Sequence, residues 1–247
     1  MNWTVVQRIV GLLLMMFSVT MLTPVIVSFL YTDNAWSPFL SAFFVTVLTG
    51  LLTWLPVRNS SNELKLRDGF LVVALFWIVL GVFGAAPFYF SNILNLSITD
   101  AIFESMSGLT TTGATIITGL DVLPKSLLYY RQQLQWLGGM GIIVLAVAIL
   151  PLLGVGGMEL YHAESSGIAK DRLTPKLRNT AIALWKIYLS LTLLCAVGYF
   201  LSGMSVFDAI SHSFSTVAIG GFSTHDGSIG YFNSAAIESI AMIFMFL

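Results

Sequence analysis

Five stretches of about twenty residues pass with hardly a charge, and this pattern limits the fold more than any other feature of the sequence. They are Val5–Tyr31, Trp36–Val57, Phe70–Phe90, Gln132–Leu153 and Ala181–Leu201. Each is long enough, as a helix, to cross about 30 Å of hydrocarbon. A sixth apolar run opens near Ser234 and continues to Leu247. At 1.5 Å per residue it reaches only about 21 Å, short of a crossing. In lipid every backbone N–H and C=O must find a partner inside its own segment, which favours helices. The expected fold class is therefore an all-α polytopic membrane protein. Composition agrees. Only 9% of residues are charged and 57% are hydrophobic, against about 25% charged in a soluble domain. So few charges cannot coat a water-soluble surface, and so much apolar character excludes disorder.

The N-terminal run Ile9–Leu30 is too long for the core of a signal peptide and lacks a small-residue cleavage site, so it is expected to remain as a membrane helix. If the five spans alternate, Arg8, Arg58, Lys65, Arg67, Lys170, Arg172, Lys176, Arg178 and Lys186 share one side, and only Lys125 and Arg131 face the other. The positive-inside rule then places the N-terminus in the cytoplasm. The opposite side carries Asp33, Asp100, Glu104, Asp121, Asp208 and Asp226. This acidic bias would concentrate cations at an outer mouth, although acidic residues are also simply tolerated there. A net charge of −1 offers no basic surface, so no nucleic-acid partner is expected. The lone Cys195 lies in an apolar stretch, where helix packing is its expected role. His162, His212 and His225 form no metal-chelating spacing.

An internal repeat carries the most information. Ser97–Thr115 reads SITDAIFESMSGLTTTGAT and Ser205–Ser223 reads SVFDAISHSFSTVAIGGFS, an offset of 205 − 97 = 108. Seven of the nineteen aligned positions are identical: Ser97/Ser205, Asp100/Asp208, Ala101/Ala209, Ile102/Ile210, Ser105/Ser213, Ser107/Ser215 and Gly113/Gly221. Chance would give roughly one or two. The same offset pairs Trp77 with Trp185. The unit is helix, short helix, Gly-containing turn, helix, used twice in parallel orientation. Ser97-x-x-Asp100 and Ser205-x-x-Asp208 resemble capping boxes. Helices Ile98–Leu109 and Val206–Val217 would each run about 18 Å and stop midway through the bilayer.

The turns Thr110–Thr115 and Ala218–Ser223 must then bring the chain back. Irregular backbone at that depth is tolerated only when it is buried or lines a watery cavity. Glycine allows dihedrals that turn successive carbonyls one way, and a half-helix points its negative end at the membrane centre. Carbonyl oxygens so placed replace the water around a dehydrated cation. An interrupted transporter helix, or a re-entrant loop without an ion, would use a similar turn. Neither turn contains Asp or Glu, which argues against a carboxylate ring. The hydroxyls of Thr110, Thr111 and Thr112 can add oxygens or bond nearby backbone.

These residues, together with the run Gln135-Trp-Leu-Gly-Gly-Met-Gly-Ile142, resemble TrkH-type membrane subunits of the bacterial Trk potassium uptake system, in the Trk/Ktr/HKT superfamily. The resemblance covers the whole chain and fits the N-terminal half of that family. It implies potassium-channel-like helix–pore loop–helix repeats preceded by two transmembrane helices. The expected division is 1–68 for the leading helices, 69–176 for the first repeat and 177–247 for a second repeat truncated in its last helix. The family places four repeats in one polypeptide, so roughly 500 residues would be needed. It implies potassium uptake across the bacterial inner membrane, with potassium as the transported ion. Its ligands would be the main-chain carbonyls of Thr111, Thr112, Gly113, Ile219, Gly220 and Gly221. It further implies a homodimer in the lipid bilayer, controlled by the cytosolic nucleotide-binding subunit TrkA.

Other residues carry smaller expectations. Gly138, Gly139 and Gly141 suit close packing against a pore loop. Glu104 and His212 are equivalent (104 + 108 = 212) and would either tune the vestibule or form hydrogen bonds behind the loops. Pro24 and Pro87 would kink or end helices. The basic stretch Lys170–Arg178 suits a regulatory subunit or anionic lipid, although topology alone accounts for it. A membrane-embedded enzyme would need paired carboxylates or clustered histidines at one depth, and the sequence supplies neither, so no enzyme is expected. A secondary transporter of another fold more often has inverted repeats.

Overall fold

The computed structural model describes residues 2–59, 66–149 and 170–247, with side chains at 66–67, 142–149 and 170–178 left outside that description. Lys65, His162, the expected end of the fourth span at Leu153 and the side chains of Arg67, Lys170, Arg172, Lys176 and Arg178 therefore lie outside the described residues. Among those described there are helices and short 3₁₀ turns and no strand. The helices are α1 (Trp3–Thr20), α2 (Leu22–Tyr31), α3 (Trp36–Trp54), α4 (Leu66–Gly84), α5 (Ala86–Phe90), α6 (Ile98–Leu109), α7 (Lys125–Ile149), α8 (Lys170–Leu201), α9 (Val206–Val217) and α10 (Ala235–Phe246).

Four segments are long and apolar enough to cross a membrane: Trp3–Tyr31, Trp36–Val57, Asp68–Phe90 and Asn179–Leu201. Both prolines interrupt their spans. Pro24 has no N–H to give the carbonyl of Thr20. That carbonyl instead accepts from Gln133 Nε2 and from Thr23 Oγ1, each at 2.8 Å, and the helix breaks at Met21. Pro87 likewise follows a break at Ala85. The fourth span differs from expectation. Helix α7 starts at Lys125 rather than Gln132, because its polar first half is buried against protein, where hydropathy cannot see the partners.

The surface is largely apolar, and the interior holds buried polar groups beside an apolar core. Met16, Leu30 and Leu52 are each 70–74% exposed, whereas Glu104, Gln132 and Gln135 are fully buried. Such a surface suits lipid, since a water-soluble monomer rarely shows large apolar patches. Helices α1 and α3 form the most extensive pair, crossing where Gly11 meets Gly50. Leu14, Phe17 and Met21 of the first span join Phe39, Phe88, Tyr130 and Leu134 in one core. The Tyr130 hydroxyl donates to the Gly84 carbonyl at 2.9 Å. Helix α7 touches α2, α4, α6, α8 and α9, and so ties the leading helices to both short ones.

Candidate functional site

The two short helices span the residues that the capping signals predict. Ser97 Oγ accepts from the Asp100 amide at 3.2 Å, and Ser205 Oγ from the Asp208 amide at 3.1 Å. Each serine hydroxyl also donates to its aspartate at 2.7 Å. Both helices end alike. The amides of Thr111 and Thr112 donate to the carbonyls of Gly108 and Ser107 at 3.0 and 2.9 Å. Those of Ile219 and Gly220 donate to Thr216 and Ser215 at 3.0 and 2.8 Å. This is the double bond pattern of a Schellman ending, which normally puts glycine in the left-handed position. Here Thr111 (φ 54°) and Ile219 (φ 53°) hold it. A β-branched residue there is strained, and strain of this kind gathers at functional sites. Gly113 (φ 76°) and Gly221 (φ 83°) return to positive φ two residues later. Both turns thus carry the same alternation of φ at the 108-residue offset.

The turns meet. A Cβ added to Gly113 would stand 2.1 Å from the carbonyl oxygen of Gly220, so only glycine allows this approach. A Cβ at Gly221 would meet nothing within 4 Å. Thr112, Ile219 and Gly221 are exposed, Thr111 and Gly113 are half-buried, and Gly220 is buried.

Helix α7 supports both turns. Gly138 lies so close to the end of α6 that a Cβ would stand 1.8 Å from the Leu109 carbonyl. At Gly139 it would stand 3.1 Å from Ala218, which caps α9. Gly141 faces Phe76 instead. Arg131, 1% exposed, donates from Nε to Glu104 at 2.8 Å, from Nη2 to Thr115 Oγ1 at 2.9 Å and from Nη1 to the Ser223 carbonyl at 3.1 Å. Its guanidinium also covers the Phe222 ring at 4.4 Å. Glu104 accepts further from Thr115 Oγ1 at 2.9 Å and the Ile116 amide at 3.2 Å. At the equivalent position, His212 Nδ1 donates to the Asp208 carbonyl at 2.9 Å, and its Nε2 bonds Ser223 Oγ at 2.9 Å. Ser223 is itself the equivalent of Thr115 (115 + 108 = 223). Of the two roles open to Glu104 and His212, the contacts are those of hydrogen bonds behind the turns. Gln135 Nε2 donates to the Gly220 carbonyl at 2.7 Å, and its Oε1 accepts from the Phe222 amide at 3.1 Å.

The loops that follow the two turns join as well. Asp226 accepts from the amides of Gly119 and Leu120, each at 3.1 Å. His225 pairs with Asp121 through Nδ1 at 2.5 Å and stacks on Tyr231 with ring centroids 3.6 Å apart. The hydrogen bond from His225 holds the Asp121 carboxyl below its ordinary value.

A profile of the TrkH family, described as cation transport proteins, matches residues 36–247. The chain belongs to the TrkH family. The Trk system potassium uptake protein TrkH of Vibrio parahaemolyticus is 60% identical over the whole chain, and that of Escherichia coli K12 is 57% identical. The uptake protein TrkG of Escherichia coli K12 is 46% identical over 98% of the chain. The crystal structure of the potassium transporter TrkH from Vibrio parahaemolyticus superposes with a TM-score of 0.88 at 59% identity. It covers 99% of this chain and 49% of that one. The chain spans about half the length of the relatives it matches, 51% of the two TrkH proteins and 50% of TrkG.

In this TrkH-family chain, sequence reasoning found the turns and missed what holds them. The sequence places Arg131 among the charges beside the fourth span, Gln132 at its start and Gln135 in the run Gln135–Ile142, and names no partner for any of them. A signal was present, since Arg131-Gln-Gln-Leu-Gln135 places four polar side chains within five residues at the head of an apolar helix. Such residues in a membrane mark buried partners.

Proposed function

We propose that this chain is the N-terminal half of a TrkH-type protein that takes up potassium across the bacterial inner membrane. On this reading residues 1–68 are two leading helices, 69–176 the first pore repeat and 177–247 part of the second. The main-chain carbonyls of Thr111, Thr112 and Gly113, and of Ile219, Gly220 and Gly221, supply part of a ring around a dehydrated potassium ion. One observation supports this above the rest: two turns with the same alternating φ, each after a capped half-helix, pack against one another at Gly113 and Gly220.

The physics of the step follows. The C-terminal end of each half-helix presents a partial negative charge at membrane depth, which lowers the cost of a cation there. Carbonyl dipoles replace the ion's lost water. A carbonyl has two lone pairs, so Gly220 can accept from Gln135 and still face an ion. The buried Glu104 is neutralised by Arg131 and adds no net charge behind the turn. Half a ring does not enclose an ion, and the remaining repeats come from the rest of a longer polypeptide. The N-terminus is cytoplasmic on the distribution of Lys and Arg. The working assembly is a homodimer under the control of TrkA, as the family resemblance implies.

The full-length protein in proteoliposomes tests the reading. Rubidium, a potassium surrogate, should enter down its gradient well ahead of sodium. Equal rubidium and sodium uptake, or none of either, overturns it.

A further inference from the structure

One side chain of helix α7 grips the second turn from behind. The Gln135 amide makes two bonds to the same short piece of backbone. It donates to the carbonyl of Gly220 and accepts from the amide of Phe222. Between those two points lies Gly221, with positive φ and open space around it. Gly221 is thus the residue in this turn with the most freedom to rotate, and the Gln135 amide fastens the peptide group on either side of it. Gln135 is fully buried, and a Cβ at Gly220 would stand 2.3 Å from its Cδ, so the amide packs directly on this stretch of backbone. Adjacent Gln132 donates to the Phe222 carbonyl at 3.4 Å, which extends the grip by one peptide group.

Among the described residues, the first turn is held through Glu104, which accepts from Thr115 Oγ1 and from the Ile116 amide. The gripped carbonyl of Gly220 is also the atom that abuts Gly113. Fixing it therefore fixes the spacing between the two turns.

We infer that Gln135 is a specificity-determining positioning residue: by holding the Gly220 carbonyl and the Phe222 amide it sets the width and carbonyl orientation of the pore on the side where the two repeats meet. The inference rests on the proposed role of the turns in potassium uptake. Selectivity between potassium and sodium depends on the size of the cage and on the field strength of its carbonyls. A hydrogen bond to one lone pair of that oxygen governs both, because it holds the oxygen against closing on a smaller ion and competes with the ion for its electron density.

The test uses the full-length protein in proteoliposomes, with rubidium and sodium uptake measured side by side. Gln135→Leu removes both bonds at similar volume. Gln135→Glu keeps the acceptor for Phe222 and removes the donor to Gly220. Each should lower the ratio of rubidium to sodium uptake about tenfold, the equivalent of one buried hydrogen bond. Gln133→Leu is the control. Gln133 is as buried, yet its bonds go to Thr20 and Thr23 at the break between α1 and α2. It should lower thermal stability and leave the ratio unchanged. If Gln135→Leu does not fold, the isosteric Gln135→Glu carries the decision. A wild-type ratio in a folded Gln135 variant, or an equal loss of ratio in the Gln133 control, overturns the inference. Wild-type protein that does not favour rubidium overturns the uptake reading instead, so the two failures are distinguishable.

Discussion

The two turn glycines are equivalent by sequence and unequal in their surroundings. Gly113 faces the Gly220 carbonyl at a distance no Cβ can tolerate, whereas Gly221 faces open space. Both hold positive φ, which costs a residue with a Cβ about 1–2 kcal/mol. Gly221→Ser should therefore lose about that much stability, and Gly113→Ser more, because the second turn must also move. In the full-length protein both should lower the ratio of rubidium to sodium uptake, Gly113→Ser the further. Flux assays paired with thermal unfolding in detergent check the order, and equal effects would contradict the packing at Gly113. Thr111 and Ile219 show the reverse case, in which a branched side chain occupies a position suited to glycine. The hydrogen bonds of each helix ending hold them there despite the strain.

Among the elements, α7 departs most from its sequence reading. Its apolar half resembles any membrane span, while its polar half is a bracket for the two turns and for the break at Pro24. The Arg131–Glu104 pair joins it to α6 and, through Ser223, to the turn after α9. Removing one partner of a buried pair strands the other charge, at a cost of about 3–5 kcal/mol. Arg131→Met alone should cost about that much. Arg131→Met with Glu104→Gln should cost less than the sum of the two single changes by about 1–3 kcal/mol. A double-mutant cycle on thermal or denaturant unfolding reads this, and strict additivity would show that the pair is not coupled. The short helices depend on their caps in the ordinary way. Ser97→Ala or Ser205→Ala should each cost about 1 kcal/mol by the same measurement.

On the scale of the whole molecule, the repeats are joined in two places: behind the turns by α7, and between the loops that follow the turns by Asp226 and by the Asp121–His225 pair. The Asp121 carboxyl is held below its ordinary 3.8 by the hydrogen bond from His225. Its contribution to stability is therefore present above 3.8 and is lost as pH falls through the lower folded-state value. Wild-type melting temperature should drop over that acid range, and Asp121→Asn should flatten this part of the profile. An unchanged profile would show that the pair does not join the loops in solution. The sequence by itself determined the membrane class, the short helices Ile98–Leu109 and Val206–Val217, their serine caps and the two turns. Apolar run length, local capping and repetition are one-dimensional signals, and the chain carries them in full. Only the tertiary structure decided that Gly113 touches Gly220, that α7 begins at Lys125, and that Arg131 and Gln135 both reach the second turn, more than 80 residues away. A buried polar side chain reads in sequence as an interruption, because the groups that satisfy it lie far along the chain and meet it only on folding.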